Sequence, residues 1–156
     1  MGSKALIYKE RLKANLRQSE RHLERIKIAF THVNMPLNKE TFLGYLENDE
    51  KVAFLDQIIY RFSKLQDTLG AKVFKDLMLY FGENVNRPFL DILYDLEKLG
   101  YVNVEDWYEF RDLRNEISHN YEDNEKVVIN IVNFIWKNLG KFEEIIKKIK
   151  EEVCAG

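Results

Sequence analysis

The sequence predicts an all-α fold, an up-and-down helical bundle of four long helices plus one short helix. Three observations carry that expectation. Only two prolines and seven glycines occur in 156 residues, which favours long uninterrupted helices over a turn-rich β-fold. Apolar residues recur at three- and four-residue steps along most of the chain, and no segment alternates with period two. The connections between these periodic stretches are a few residues long, as between antiparallel neighbours.

The first helix is expected from about Lys4 to His32, with Leu12, Leu16, Leu23, Ile26, Phe30 and Val33 on its buried face. Pro36 ends it, and Asn34 and Asn38 supply turn chemistry. A second segment starts at Asn48 or Asp49, either of which can cap it, and reaches Phe81. Its stripe is Leu55, Ile58, Ile59, Phe62, Leu65, Leu69, Val73, Leu77 and Phe81. Gly70 lies inside that stripe and marks a bend or a close helix contact, and Gly82 closes the segment. The third, short helix runs from about Pro88 to Leu99, with Pro88 near its first turn and Gly100 as its stop. The fourth follows Asn103, from Val104 to about Ser118, with Glu105 and Asp106 at the electropositive end. The fifth spans roughly Glu125 to Glu152, turning Val128, Ile131, Ile135, Leu139, Phe142, Ile146 and Ile149 inward. One domain, residues 1–156, accounts for the whole.

Composition narrows function little. The chain is 46% hydrophobic and 32% charged, with a formal net charge of -2, so overall charge does not advertise a nucleic-acid partner. The distribution is uneven. Met1 to Phe30 carries eight Lys or Arg against three Glu, whereas Glu105 to Glu125 carries eight acidic residues against two Arg. A polyanion held near the acidic stretch must draw positive potential from elsewhere in the protein or from another chain. Cys154 is the only cysteine, so neither an intrachain disulfide nor a Cys-based zinc site is expected. His22 and His32 are isolated from any ligand-spaced set, and no metal or cofactor is expected. The N-terminus lacks a signal-like apolar run and no 18-residue apolar stretch exists, which points to a cytoplasmic protein with no membrane partner.

The segment richest in chemistry is RDLRNEISHNY, Arg111 to Tyr121. In a helix, Asn115 and His119 stack at i, i+4, so the amide can set the imidazole tautomer. Arg114 and His119 are five apart and point roughly 140° from each other. They converge through the length of the arginine, or if the helix ends between them, or if a second chain contributes. An arginine beside a histidine suits phosphodiester cleavage without metal. His119 can take the proton of a ribose 2′-OH or protonate the leaving oxygen, and Arg114 can neutralise charge on the phosphorane. The plain alternative is a surface arginine, a capping asparagine and a histidine that each steady a helix end.

RNEISHNY resembles the R-x4-H-x-Y motif of HEPN proteins, with Asn115 as the polar residue after the arginine. Tyr60 to Leu77, YRFSKLQDTLGAKVFKDL, resembles the second helix of HepT-like proteins and of the nucleotidyltransferase substrate-binding group. VEDWYEFRDLRNEISHNY is similar to the lead-in to the motif in that group. The resemblance implies a helical bundle that forms a homodimer and brings two motifs to one cleft. It implies metal-independent RNA cleavage at Arg114 and His119, supported by Asn115. It also implies that Tyr121 is adenylylated by a cognate MNT-type nucleotidyltransferase antitoxin encoded as a separate chain, which silences the toxin. This sequence has no G-S-x-D-type motif of its own, so ATP chemistry would belong to that partner. The alternative within the group is a non-catalytic substrate-binding subunit of a two-component nucleotidyltransferase. The acidic Asp112, Glu116, Glu122 and Asp123 around the motif favour that alternative, and the intact motif favours the ribonuclease.

Other residues have two readings each. Arg61, Lys64, Gln66 and Asp67 either line the dimer cleft, with Arg61 and Lys64 as RNA contacts, or form a solvated face with local ion pairs. Arg111 either touches phosphate or pairs with a neighbouring carboxylate. Trp107, Tyr108 and Phe110 suit packing better than base stacking, and the KKIKEE run suits a solvated helix end.

Overall fold

In the computed structural model, which describes residues 2–119 and 124–155, the described residues are helical with no strands. Seven α-helices follow in order: α1 Gly2–Phe30, α2 Lys39–Leu46, α3 Asp49–Thr68, α4 Phe74–Tyr80, α5 Phe89–Lys98, α6 Val104–Ile117 and α7 Glu125–Ala155. A π-helical turn, Leu69–Val73, fuses α3 and α4 into one long rod. Among the described residues no helix is long and apolar enough to cross a membrane.

The all-α expectation holds, and one element corrects the reading around it. The sequence pattern gives no helix between Pro36 and Asn48, yet α2 occupies Lys39–Leu46. At eight residues it is too short to declare a period, and it buries only Phe42. Asn38, read as turn chemistry, is its cap, taking a hydrogen bond from the Thr41 N–H at 2.8 Å. The long rods are therefore α1, α3 with α4, and α7, while α6 has 14 residues.

Asparagine starts and glycine stops set the other boundaries. Asn48 caps α3, accepting from Glu50 and Lys51, and Asn103 caps α6, accepting from Asp106. Gly82 and Gly100 take φ of 84° and 86°, the left-handed conformation that lets the backbone bond back over the last turn. Those bonds are Glu83 N–H to Met78 O and Tyr101 N–H to Leu96 O, both 2.9 Å.

The core lies where α1, α3, α4, α6 and α7 meet. α1 packs along α3, α4 and α7 through fully buried Leu12 and Ile26. A run of aromatic contacts then crosses the bundle. Phe74 of α4 meets Trp107 of α6 at 4.7 Å, Phe110 meets Phe142 of α7 at 4.4 Å, and Phe142 meets Phe62 of α3 edge-on at 5.7 Å. Trp107 and Phe110 therefore pack in the core, as expected.

Gly70 is a close contact. A Cβ built there would stand 3.1 Å from Cζ2 of Trp107. The π-turn begins beside it: the Phe74 N–H reaches back to Leu69 O, five residues away.

A polar contact joins α1 to α3. His22, buried in α1, accepts through Nδ1 from Nη1 of Arg61 at 3.1 Å. Burial comes first, and the charges of Arg61, Lys64, Arg21 and Lys72 follow, in holding His22 below the usual imidazole range. His22 is thus neutral, with its proton on Nε2. Because its folded pKa is depressed, its contribution to stability is full above pH 6.5, its ordinary value, and declines as pH falls below that.

Two predictions follow from these contacts. Gly70→Ala gains helix propensity of about 0.5–1 kcal/mol but overpacks Trp107 at about 1–3 kcal/mol. The net expectation is a loss of about 1 kcal/mol in urea unfolding, since Trp107 is itself clamped by Phe74 and Phe110. His22→Gln, which keeps an acceptor for Arg61, should lose less stability than the wild type between pH 7.5 and pH 5. Parallel unfolding curves with identical pH dependence would refute the assignment.

Candidate functional site

Helix geometry places Trp107, Arg111 and Arg114 of α6 on one face, at i, i+4 and i+7. That face packs against α3 and the π-turn. Trp107 lies against Gly70, and one end of the contact further on, Arg114 reaches Asp67. The two helices run in opposite senses here, since rising numbers on α6 meet falling numbers on α3.

Arg114 meets Asp67 side-on. Nε donates to Oδ1 and Nη2 donates to Oδ2, both at 3.1 Å. The side chains are 30% and 45% exposed, so water reaches the pair and its stabilising effect is small. Its geometric effect is larger: two of the five N–H groups hold the plane of the guanidinium, and Nη1 has no partner among the described residues. Of the four residues singled out on α3, Asp67 is the one the structure joins to the motif.

α6 ends at Ile117, between Arg114 and His119. This is one of the conditions under which the two side chains can converge. Beyond the end, Ser118 N–H bonds back to Arg114 O and Asn115 O, Ser118 Oγ donates to Asn115 O at 2.6 Å, and His119 N–H reaches Glu116 O at 3.1 Å. His119 is exposed and sits on this tightened last turn. Asn115 is exposed too, and no hydrogen bond joins its side chain to His119 among the described residues. The i, i+4 stacking expected of them needs a helix that continues, and α6 stops first. Tyr121, the residue on which the resemblance places adenylylation, lies outside the described residues, as do Glu122 and Asp123.

Arg61 and Lys64 face a different neighbourhood. Arg61 is engaged by His22 of α1, and both cations also lie over the Tyr60 ring, at 5.7 and 5.6 Å. Arg111 has no ion pair among the described residues and instead borders a cleft of about 300 Å³ with Asp67, Gly70, Lys75 and Trp107.

Positive potential comes from α1 and the α3–α4 rod. Arg11, Lys72 and Lys75 border a second cleft of about 450 Å³, which shares Lys75 and Ala71 with the first. Arg11 is fixed there by Asp76, which is buried and takes Nε at 2.9 Å, Nη2 at 2.6 Å and the Asn15 amide at 2.7 Å. Sequence reasoning missed Lys72 and Lys75. No local signal marks them, because they join Arg11 at one cleft only when α1 crosses the α3–α4 rod.

Compared with family models, curated proteins and solved structures, the chain matches none.

A double-mutant cycle on Asp67→Ala and Arg114→Ala should return a coupling below about 1 kcal/mol in stability. A coupling of several kcal/mol would instead make the pair a structural staple, at odds with its exposure.

Proposed function

We propose that this chain is a HepT-like HEPN toxin, a metal-independent endoribonuclease whose site is built from Arg114 and His119 with support from Asn115. The observation that carries the reading is the side-on Arg114–Asp67 pair at the end of a helix that stops before His119. It orients a guanidinium five residues before an exposed imidazole, the two groups that phosphodiester cleavage needs and that the R-x4-H-x-Y resemblance assigns to it.

In this mechanism His119 accepts the 2′-OH proton as the 2′-oxygen attacks phosphorus. The P–O5′ bond breaks, the leaving 5′-oxygen takes a proton, and a 2′,3′-cyclic phosphate remains. One imidazole serves as base and a second as acid, which a homodimer supplies by bringing two motifs to one cleft. Arg114 meets the charge on the non-bridging oxygens with Nη1. The basic lining of the two clefts, from Arg11, Lys72, Lys75 and Arg111, offsets the acidic α6. The up-and-down course of the bundle and the nucleotidyltransferase antitoxin that would adenylylate Tyr121 belong to the same proposal.

A second reading has its own observation. Asp112 and Glu116 are both exposed beside the motif, which suits a non-catalytic substrate-binding subunit of a two-component nucleotidyltransferase better than it suits RNA.

The test is RNA cleavage in excess EDTA by wild-type, Arg114→Ala and His119→Ala proteins purified side by side. The ribonuclease reading expects the wild type to cut and each variant to lose about 10²–10⁴-fold in rate. If no protein cuts, or all three cut alike, the substrate-binding reading replaces it.

A further inference from the structure

The cleft between the π-turn, α5 and α6 holds an amide, Gln66, that the proposed cleavage does not use. Gln66 is 7% exposed, lines this cleft, and its side-chain amide has no hydrogen-bonding partner among the described residues. No unpaired atom of Gln66 is sealed from solvent, so the amide is open to whatever occupies the cleft. Two cations stand beside it. Arg111 and Lys75 line the same cleft, and neither has an ion pair among the described residues. The one carboxylate present, Asp67, is already engaged by Arg114.

The walls are aromatic and unusually close to backbone. Without a Cβ on Gly70, the Trp107 ring sits against the π-turn, and Phe89, half-buried at the start of α5, comes alongside it. The result is a shallow slot with a ring wall, an amide offering one donor edge and one acceptor, and at its mouth two cations that have no ion pair among the described residues. A planar heterocycle satisfies the first two features, because an amide pairs with the donor–acceptor edge of a base and rings stack on rings. A phosphate satisfies the third. The volume of about 300 Å³ is at the small end for ligand sites and suits one such unit.

We propose that this cleft binds a single nucleotide, its base against Phe89 and the Gln66 amide and its phosphate on Arg111 and Lys75. The site goes beyond the cleavage proposal and stands without it, because none of its groups is asked to react. Two sources carry this chemistry, a free mononucleotide and one residue of an RNA strand whose next phosphate lies toward Arg114.

The experiment is a titration of the intact protein with AMP, GMP, CMP and UMP, read by Trp107 fluorescence. The chain has two tryptophans, so a Trp136→Phe background isolates the signal; Trp136 lies on the surface of α7 at 40% exposure. Saturable binding of at least one mononucleotide is expected. Arg111→Ala should weaken it about tenfold or more, and Gln66→Leu should reduce discrimination among the four bases. Arg111 is exposed, so its removal leaves the fold intact and keeps the test valid should the Gln66 variant fail to fold. Competition by a non-cleavable 2′-O-methyl RNA oligonucleotide assigns the site to the strand, and lack of competition assigns it to the free nucleotide. The proposal is overturned if no mononucleotide binds at millimolar concentration, if inorganic phosphate alone binds equally well, or if Arg111→Ala binds like the wild type. Because binding is read without turnover, a protein that binds but does not cut RNA sinks only the ribonuclease.

Discussion

The contact of Trp107 with the bare backbone at Gly70 sets the register of α6 on the α3–α4 rod, and nearly everything of interest follows from that register. Trp107 is almost wholly buried, wedged between Phe74 and Phe110, so it cannot slide without disturbing three helices. One turn further along the same face is Arg111, and nearly one turn beyond that is Arg114. With the indole fixed, the reach of Arg114 is fixed too, and Asp67 lies three residues before Gly70 to receive it. The π-turn belongs to the same constraint. An inserted residue shifts the helix face, and the shift falls where the rod must accept an indole on one side and keep Leu69 and Val73 in the core on the other.

Much of this was legible in residue order. The spacing of Leu12, Leu16, Leu23 and Ile26 or of Ile131, Ile135, Phe142 and Ile149 states which face of a helix is buried, and all of these are core residues. Gly82 and Gly100 announced two helix ends correctly because a positive φ is a local requirement. Helix α2 was not legible. One buried phenylalanine in eight residues cannot define a period, and an asparagine cap looks the same as an asparagine turn until the helix is seen. Its place is settled by tertiary contacts, including the pair in which Asn133 of α7 receives the Leu37 N–H and donates to the Leu37 carbonyl.

The polar groups of the candidate site were named in sequence but not assigned their partners. Arg61, Lys64, Gln66 and Asp67 fall within two turns of one helix, and a helix turns such neighbours toward different surroundings. Arg61 went to His22 on α1, Asp67 went to Arg114 on α6, and Gln66 turned into the cleft. Which of them meets which helix depends on the crossing of α1 and α6 over α3, a long-range property absent from local spacing. Charge had the same limit. The acidity of α6 is plain from composition, whereas the cations that offset it sit on α1 and around the π-turn and become neighbours only on folding.

The Arg114–Asp67 pair raises a question that bears on the proposed reaction: why an arginine proposed to meet phosphate should rest on a carboxylate. In water-exposed surroundings the pair adds little to stability, so its worth has to be sought in orientation. A free arginine holds roughly 2 kcal/mol of rotamer entropy, which a ligand would otherwise have to remove on binding. Asp67 removes it in advance while occupying only Nε and Nη2. The cost is partial neutralisation of the cation, and that cost is tolerable only where other positive charge is at hand. Arg111 and Lys75, without an ion pair among the described residues and bordering the same aspartate, supply it. On this reasoning the three cations divide the work, one held rigid for direction and two left free for attraction.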